Sequence, residues 1–161
     1  MCNFKIEKKD SFRFVGYKTK LEGASSIHSD QFSNQKTEFF KRVVQSGKMA
    51  SLQPISESKN GYAVVKTDGK NTFYYAGVLT SQPLVIETEE VLFIEGDYLV
   101  LTWNGGLSRL AFDRLEDQAF NEILIKDFDY EFNGGGIVEV LTNGNPLDAE
   151  VELWIPVESV K

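Results

Sequence analysis

The chain has 161 residues, a length that suits one domain with its own hydrophobic core and is short for two independent domains. Its net charge of −7 argues against the basic surface that nucleic-acid binding requires, so we expect no direct contact with DNA or RNA. The apolar runs are far shorter than a membrane span, and the first residues contain no apolar stretch of the signal-peptide type. We therefore expect a cytoplasmic protein that makes no membrane contact.

Cysteine and histidine each occur once, as Cys2 and His28. One cysteine excludes an intrachain disulfide and a CxxC site, and the pair cannot supply the usual zinc ligand sets. His28 could complete a Ser-His-Asp triad, but it lies in a polar segment before a predicted helix, where a solvated loop histidine is expected. We predict neither a metal nor a cofactor.

The first predicted elements are a strand and a helix. Residues 12–20 alternate as a β-strand does, and residues 4–6 are expected to begin that strand or to pair with it. A helix is predicted to start at Ser29 or Asp30, both good N-caps, and to end at Gly47. Its apolar residues recur at helical spacing: Phe32, Phe39, Phe40, Val43 and Val44.

A loop and a hairpin follow this helix. Residues 48–60 are predicted to be a loop. Segments 62–66 and 73–78 are rich in β-forming residues and flank Asp68-Gly69. An Asp-Gly turn between two such segments is a strong hairpin signal.

The second half of the chain repeats this order. Residues 91–103 are predicted to be strand, and Gly105-Gly106 ends it. A helix follows, and its predicted apolar face consists of Leu107, Leu110, Ala111, Leu115, Ala119, Phe120 and Ile123. After the glycines at 134–136, residues 137–141 and 150–155 are predicted to be strands.

The turns at 67–71 and 142–146 occupy matching places in the two halves. The order β-α-β-β therefore occurs twice, in module one (about residues 1–80) and module two (about 90–158) of a single domain, 1–161. We predict an α+β fold in which the modules are related by pseudo-twofold symmetry. Each module would form an antiparallel sheet with one helix on a face, and a central ligand cleft would lie between the modules.

Glu139 interrupts an otherwise aliphatic strand at 137–141. A buried carboxylate is costly unless another group compensates it. The pattern leaves two interpretations: Glu139 faces the cleft, or it points to solvent while Val138 and Val140 pack inward. In an apolar cleft without a protein cation, burial would raise the pKa of Glu139.

Several segments resemble the GyrI-like small-molecule-binding domain, the effector-binding module of some AraC-type and MerR-type bacterial regulators. The resemblance lies in the order and spacing of residues 14–17, 73–78, 94–98, 137–144 and 151–157. It covers nearly the whole chain, which would be a stand-alone form of the domain. It implies the same duplicated fold, with a ligand pocket between the halves.

The resemblance also implies a function. Multidrug-binding members hold lipophilic cations with a glutamate that corresponds to Glu139, among aromatic rings. We expect a protein that binds lipophilic small molecules, cations among them, as a sensor or a sequestering protein. The implied ligand-binding residues are Glu139, Phe32, Tyr62, Tyr75, Trp103, Leu110 and Trp154. The plainer interpretation of Trp103 and Trp154 is packing in the core or at its rim.

Two alternatives remain open. Some family members are hydrolases of reactive cyclopropane compounds, and Glu139 would then be catalytic. Family members often carry an aromatic residue two positions after the glutamate, where this chain has Leu141, and this difference favours binding over hydrolysis. The other alternative is a protein-interaction domain with a protein partner.

Overall fold

The computed structural model describes residues 3–23, 30–58, 60–125 and 127–160. Cys2, His28 and Ser29 lie outside them, and so do the predictions made for these three residues. The strands are β1 Asn3–Lys9, β2 Phe12–Leu21, β3 Gly61–Thr67, β4 Thr72–Leu79, β5 Glu89–Phe93, β6 Gly96–Asn104, β7 Tyr130–Phe132, β8 Ile137–Leu141 and β9 Glu150–Ser159. The α-helices are α1 Ser33–Gln45, α2 Lys48–Leu52 and α3 Ser108–Gln118.

All of these strands belong to one antiparallel sheet in the order β1-β6-β9-β8-β3-β4-β2-β5, with β7 beside β9. Module one contributes β2, α1, β3 and β4, and module two contributes β6, α3, β8 and β9. The two modules meet where β3 pairs with β8, at the centre of the sheet. The predicted α+β fold with duplicated β-α-β-β modules is confirmed.

The first strand in each module's residue range, β1 in module one and β5 in module two, pairs with the other module. β1 pairs with β6, so Phe4 faces Leu101, and β5 pairs with β2. The prediction that residues 4–6 extend or pair with the strand at 12–20 is therefore wrong. Both edges of β2 are occupied by β4 and β5, and β1 pairs with the free edge of β6. The predicted strand 91–103 is likewise divided, after Phe93, into β5 at one end of the sheet and β6 next to the other end.

The two faces of the sheet are covered in different ways. Ala63, Tyr74 and Leu153 are on the face that packs against α1 and α3 in the main core. The opposite face carries a second cluster, in which the Phe12 ring lies 5.9 Å from Tyr98 and 5.7 Å from Trp154. Because β2 and β6 are near opposite ends of the sheet, these ring contacts show that the sheet curls over this face and closes it.

The helical segments differ from the prediction at their ends. A single 3-10 turn at Asp30–Phe32 precedes α1, which begins at Ser33. α1 ends just before Gly47, whose positive φ of 82° suits a C-terminal glycine, as predicted. The predicted loop at 48–60 contains α2 and a 3-10 turn at Gln53–Ile55. A five-residue helix has too few turns to produce a recognisable apolar period.

The buried face of α3 is displaced from the predicted one. Its buried residues are Ala111, Phe112, Leu115 and Glu116, and Ala119 continues the face into a π-helical turn. Leu107 and Leu110 are exposed, so their assignment to this face is wrong. In the described ranges, no helix is long and apolar enough to cross a membrane.

Candidate functional site

A cleft of about 560 Å³ lies on the helical face of the sheet, over the central strands β3 and β8. α1 borders one side and α3 the other. Its walls are largely apolar, with Phe40 and Val44 from α1, Phe112 from α3, Leu141 from β8 and Leu147 from the β8–β9 loop. The cleft therefore lies where the two modules meet.

Glu139 lies at the base of the cleft and is 2% exposed. Arg109, from the first turn of α3, donates from Nη1 to Oε1 at 3.1 Å and from Nη2 to Oε2 at 2.7 Å. The hydroxyl of Tyr74 on β4 donates to Oε1 at 2.7 Å. Ala63 is paired with Glu139 across β3 and β8 and also borders the cleft. Both oxygens of Glu139 are thus held by protein donors.

A further set of buried charges joins the two helices above this base. Lys36 of α1 lies 3.5 Å from Glu139 and 3.4 Å from Glu116 of α3. Asp113 of α3 accepts from Arg109 Nε at 3.0 Å and from the Ser33 hydroxyl at 2.5 Å. These contacts tie α1, α3 and β8 into one network of charge-assisted hydrogen bonds.

The network shifts the pKa values of the two buried glutamates, Glu139 and Glu116, in opposite directions. Burial alone would raise the pKa of Glu139, but Arg109 and then Lys36 lower it to about 2. Burial raises the pKa of Glu116 to about 7, although Lys36 opposes the rise. Burial would lower the pKa of Arg109, yet Glu139 and Tyr74 raise it well above its usual value. Glu139 is therefore ionised at neutral pH, whereas Glu116 lies near its midpoint.

Of the two interpretations of Glu139 left by the sequence, the geometry matches the first, because Glu139 borders the cleft. The residue does not point to solvent, and its carboxylate is not an unpaired charge with a raised pKa. It is a fixed anion whose charge is matched by Arg109 and Lys36. Because it is ionised, it cannot donate a proton at neutral pH.

Of the residues expected to bind a ligand, Glu139 and Tyr62 border the cleft. The Tyr62 ring, however, packs on the opposite face, 6.0 Å from Trp154. Tyr75 lies on the same opposite face, against Phe14. Tyr75 and Trp154 are therefore separated from the cleft by the sheet.

Three further expected residues also lie outside the cleft lining. Phe32 is fully buried in the main core. Trp103 packs against that core, with the guanidinium of Arg114 5.0 Å from its ring. Leu110 is 64% exposed on α3. Leu141 shares the cleft-facing side of β8 with Glu139, as its spacing predicts.

Sequence reasoning missed Arg109, Lys36, Tyr74 and Glu116. A signal existed for two of them. Lys36 shares the buried stripe of α1 with Phe39 and Val43, and Glu116 shares that of α3 with Phe112 and Leu115. A single charge on an apolar helical stripe indicates a buried ionic partner in the same way that Glu139 does on its strand.

Comparison with known proteins identifies the family of this chain. The sequence profile of integron-associated effector binding proteins (Cass2) matches residues 5–157. The chain belongs to this family. The family is GyrI-like, which confirms the resemblance inferred from the sequence. A search of curated proteins finds no match.

Several solved structures share the fold of this chain at low sequence identity. SAV2435 bound to tetraphenylphosphonium has a TM-score of 0.75 at 16% identity, covering 97% of this chain and 94% of its own. A putative bacterial transcription regulation protein from Staphylococcus aureus MU50 has a TM-score of 0.73 at 18% identity, covering 98% and 99%. The integron cassette protein VCH_CASS2, from the mobile metagenome of Vibrio cholerae, has a TM-score of 0.66 at 14% identity, covering 96% and 95%.

Proposed function

We propose that this protein binds lipophilic small molecules in the cleft between its modules, as a sensor or a sequestering protein. The observation that carries the proposal is the cleft itself, an apolar-walled space of about 560 Å³ with a fixed polar group at its base. Ligand pockets of proteins have this character, because apolar walls supply most of the binding free energy and a few polar groups orient the ligand.

The rim of the cleft supports the same function. Val44, Leu107 and Leu147 border the cleft, and each is about half exposed or more. Exposed apolar side chains around a concave surface are typical of ligand-binding sites. A lipophilic ligand would cover them, which the apolar transfer free energy favours.

The family relationship adds further support. Family members are described as effector binding proteins, and one structural relative was solved with the lipophilic cation tetraphenylphosphonium. Another is a putative transcription regulation protein. The net charge of −7 argues that this chain does not itself contact nucleic acid, so a regulatory role would act through its ligand.

The proposal is tested with Nile red, a neutral lipophilic dye, by fluorescence titration. We expect saturable binding that Leu147→Ala weakens by about three- to fivefold, because the variant removes apolar contact area at the cleft. Leu92→Ala on β5 is the matched control, since Leu92 is 65% exposed, Leu147 is 73% exposed, and Leu92 is not part of the cleft lining. The proposal fails if the dye shows no saturable binding, or if both variants weaken it equally.

Hydrolysis through Glu139 stays a prediction without a structural observation in its favour. Both carboxylate oxygens accept hydrogen bonds from Arg109, so Glu139 would have to break this pair before acting as a base. Binding requires no such rearrangement.

A further inference from the structure

We propose that the cleft selects lipophilic organic anions, such as aromatic or aliphatic carboxylates, and that Arg109 is the group that contacts the anionic end. This inference rests on the proposed function and specifies the charge of its ligand. It follows from the charged side chains that line the cleft and from how each is already paired.

The charges on the cleft wall have the opposite sign to that of the whole chain. The charged residues of the lining are Lys36, Lys41, Arg109 and Glu139, so three cations accompany one carboxylate. The chain as a whole carries 24 acidic and 17 basic residues. The side chains that line the cleft therefore carry more positive than negative charge, although the protein as a whole is acidic.

The single carboxylate on this wall is not available to a cationic ligand. The side chain of Glu139 is 1% exposed, whereas that of Arg109 is 15% exposed, so a ligand reaches the guanidinium first. A cation would have to replace the bidentate Arg109 contact and leave that guanidinium buried without its partner. Removing one partner of a buried ion pair is strongly unfavourable.

Arg109 is also held in position to accept an anion. Asp113 binds its Nε and Glu139 binds one N–H on each Nη, which engages three of the five N–H donors of a guanidinium. Asp113 is in turn held by Ser33. A guanidinium fixed in this way loses little side-chain entropy on binding an anion, and its two remaining N–H donors, one on each Nη, can each donate a hydrogen bond to it.

The carboxylates behind the wall do not reverse this conclusion. Asp113 and Glu116 contact Arg109 and Lys36, outside the cleft lining. With them included, the three cations of the lining face two carboxylates when Glu116 is protonated and three when it is ionised. The arrangement has a net charge of +1 when Glu116 is protonated and of zero when it is ionised, so it favours an anion in the first state and a cation in neither.

Tetraphenylborate and tetraphenylphosphonium test this inference, because they share the same phenyl groups around a tetrahedral centre and differ in charge. Isothermal titration calorimetry gives the ratio of their affinities for the wild type and for each variant. Comparing ratios between variants cancels the intrinsic difference in hydration between the two ions. Lys41→Gln is the main variant, because Lys41 is exposed on the rim and its loss does not disturb the buried network. Arg42→Gln is the matched control, since Arg42 is the exposed neighbour of Lys41 and is not part of the lining.

We expect the wild type to prefer tetraphenylborate. Lys41→Gln should reduce that preference by about threefold, which is the effect of one exposed charge, and Arg42→Gln should leave it nearly unchanged. Glu139→Gln, if it folds by circular dichroism, should strengthen tetraphenylborate binding, because Arg109 and Lys36 then lose their counter-charge. A cation site predicts the reverse, namely loss of tetraphenylphosphonium binding in Glu139→Gln.

The inference is overturned if the wild type prefers tetraphenylphosphonium, or if Lys41→Gln and Arg42→Gln change the ratio equally. The Lys41 comparison decides the matter even if Glu139→Gln does not fold. Failure of the proposed function is a separate result, because it appears as the absence of saturable Nile red binding. Nile red binding with a preference for the cation would leave the proposed function intact and refute the anion selectivity alone.

Discussion

At the scale of single residues, the site is organised by two buried glutamates whose electrostatic environments differ. Glu139 faces two cations and a hydroxyl, and its pKa falls to about 2. Among the residues that the structure describes, Glu116 forms an ion pair with Lys36 alone; it is buried to a similar degree, and its pKa rises to about 7. Glu139 contributes stability that is lost as the pH falls from 4.5 towards 2, whereas Glu116 has the opposite dependence.

The opposite dependence of Glu116 leads to a stability prediction. Its folded-state pKa of about 7 lies above the ordinary value of 4.5, so the folded state binds the proton more tightly. The free energy of unfolding should therefore decrease as the pH rises from 4.5 to 7. Glu116→Gln keeps the neutral form, and we expect it to remove on the order of 3 kcal/mol of this decrease.

Urea denaturation of both proteins between pH 5 and 8 measures this difference. Glu122→Gln, at an exposed glutamate that follows α3, is the control and should parallel the wild type. Parallel curves for the wild type and Glu116→Gln would contradict the raised pKa.

At the scale of elements, the close pairing of β2 with β4 depends on two glycines that face each other. Gly16 is paired directly with Gly77. A Cβ on Gly77 would lie 2.0 Å from the carbonyl oxygen of Val15 and 2.5 Å from the Cα of Gly16. These are backbone atoms, so the clash cannot be relieved by a side-chain rotation. The same strand carries Tyr74 to the base of the cleft.

We expect Gly77→Ala to lower the free energy of unfolding by about 2–3 kcal/mol, because the strands must separate to admit the methyl group. Gly96→Ala is the control, since a Cβ there meets no atom within 4 Å. It should change stability by less than about 0.5 kcal/mol. Chemical denaturation measures the free energy of unfolding of both variants. Equal effects would show that the close approach of β2 and β4 does not contribute to the cost of Gly77→Ala.

At the scale of the whole molecule, the exchange of β1 and β5 makes the modules depend on each other. Module two holds β1 on its outer strand β6, and module one holds β5 on its outer strand β2. The cleft lies where the modules join, so its walls come from both. The sequence indicates a boundary between the modules at about residues 80 to 90. This boundary stays a prediction, and it concerns the symmetry of the two modules rather than their ability to fold independently.

We therefore expect fragments 1–84 and 85–161 to lack cooperative unfolding when each is alone. Each fragment would expose the edge of β3 or β8 and lose a paired outer strand. An equimolar mixture should recover a cooperative transition, measured by circular dichroism, together with Nile red binding. A cooperative transition in either fragment alone would contradict this interdependence.

The sequence was sufficient for elements whose signals are local. Asp68-Gly69 predicted the β3–β4 hairpin, in which the Asp68 carboxylate accepts from the N–H groups of Lys70 and Asn71. The matching turn order predicted the duplication. Short elements such as α2 and β7 were missed because they contain too few residues to show a period. The pairing of β1 with β6 was missed because nothing in a strand of its length specifies a partner about 90 residues away.

The sequence by itself determined the family, the duplicated fold and the anomalous position of Glu139. Each of these follows from patterns along the chain, which record which face a side chain occupies. Only the tertiary structure decided what stands across from that face. Arg109 and Lys36 reach Glu139 from helices of different modules, and these contacts supply the compensation that a buried carboxylate needs and that the sequence could not identify. The reason is physical: burial is encoded by periodicity, but charge compensation depends on distances of a few ångströms between distant segments.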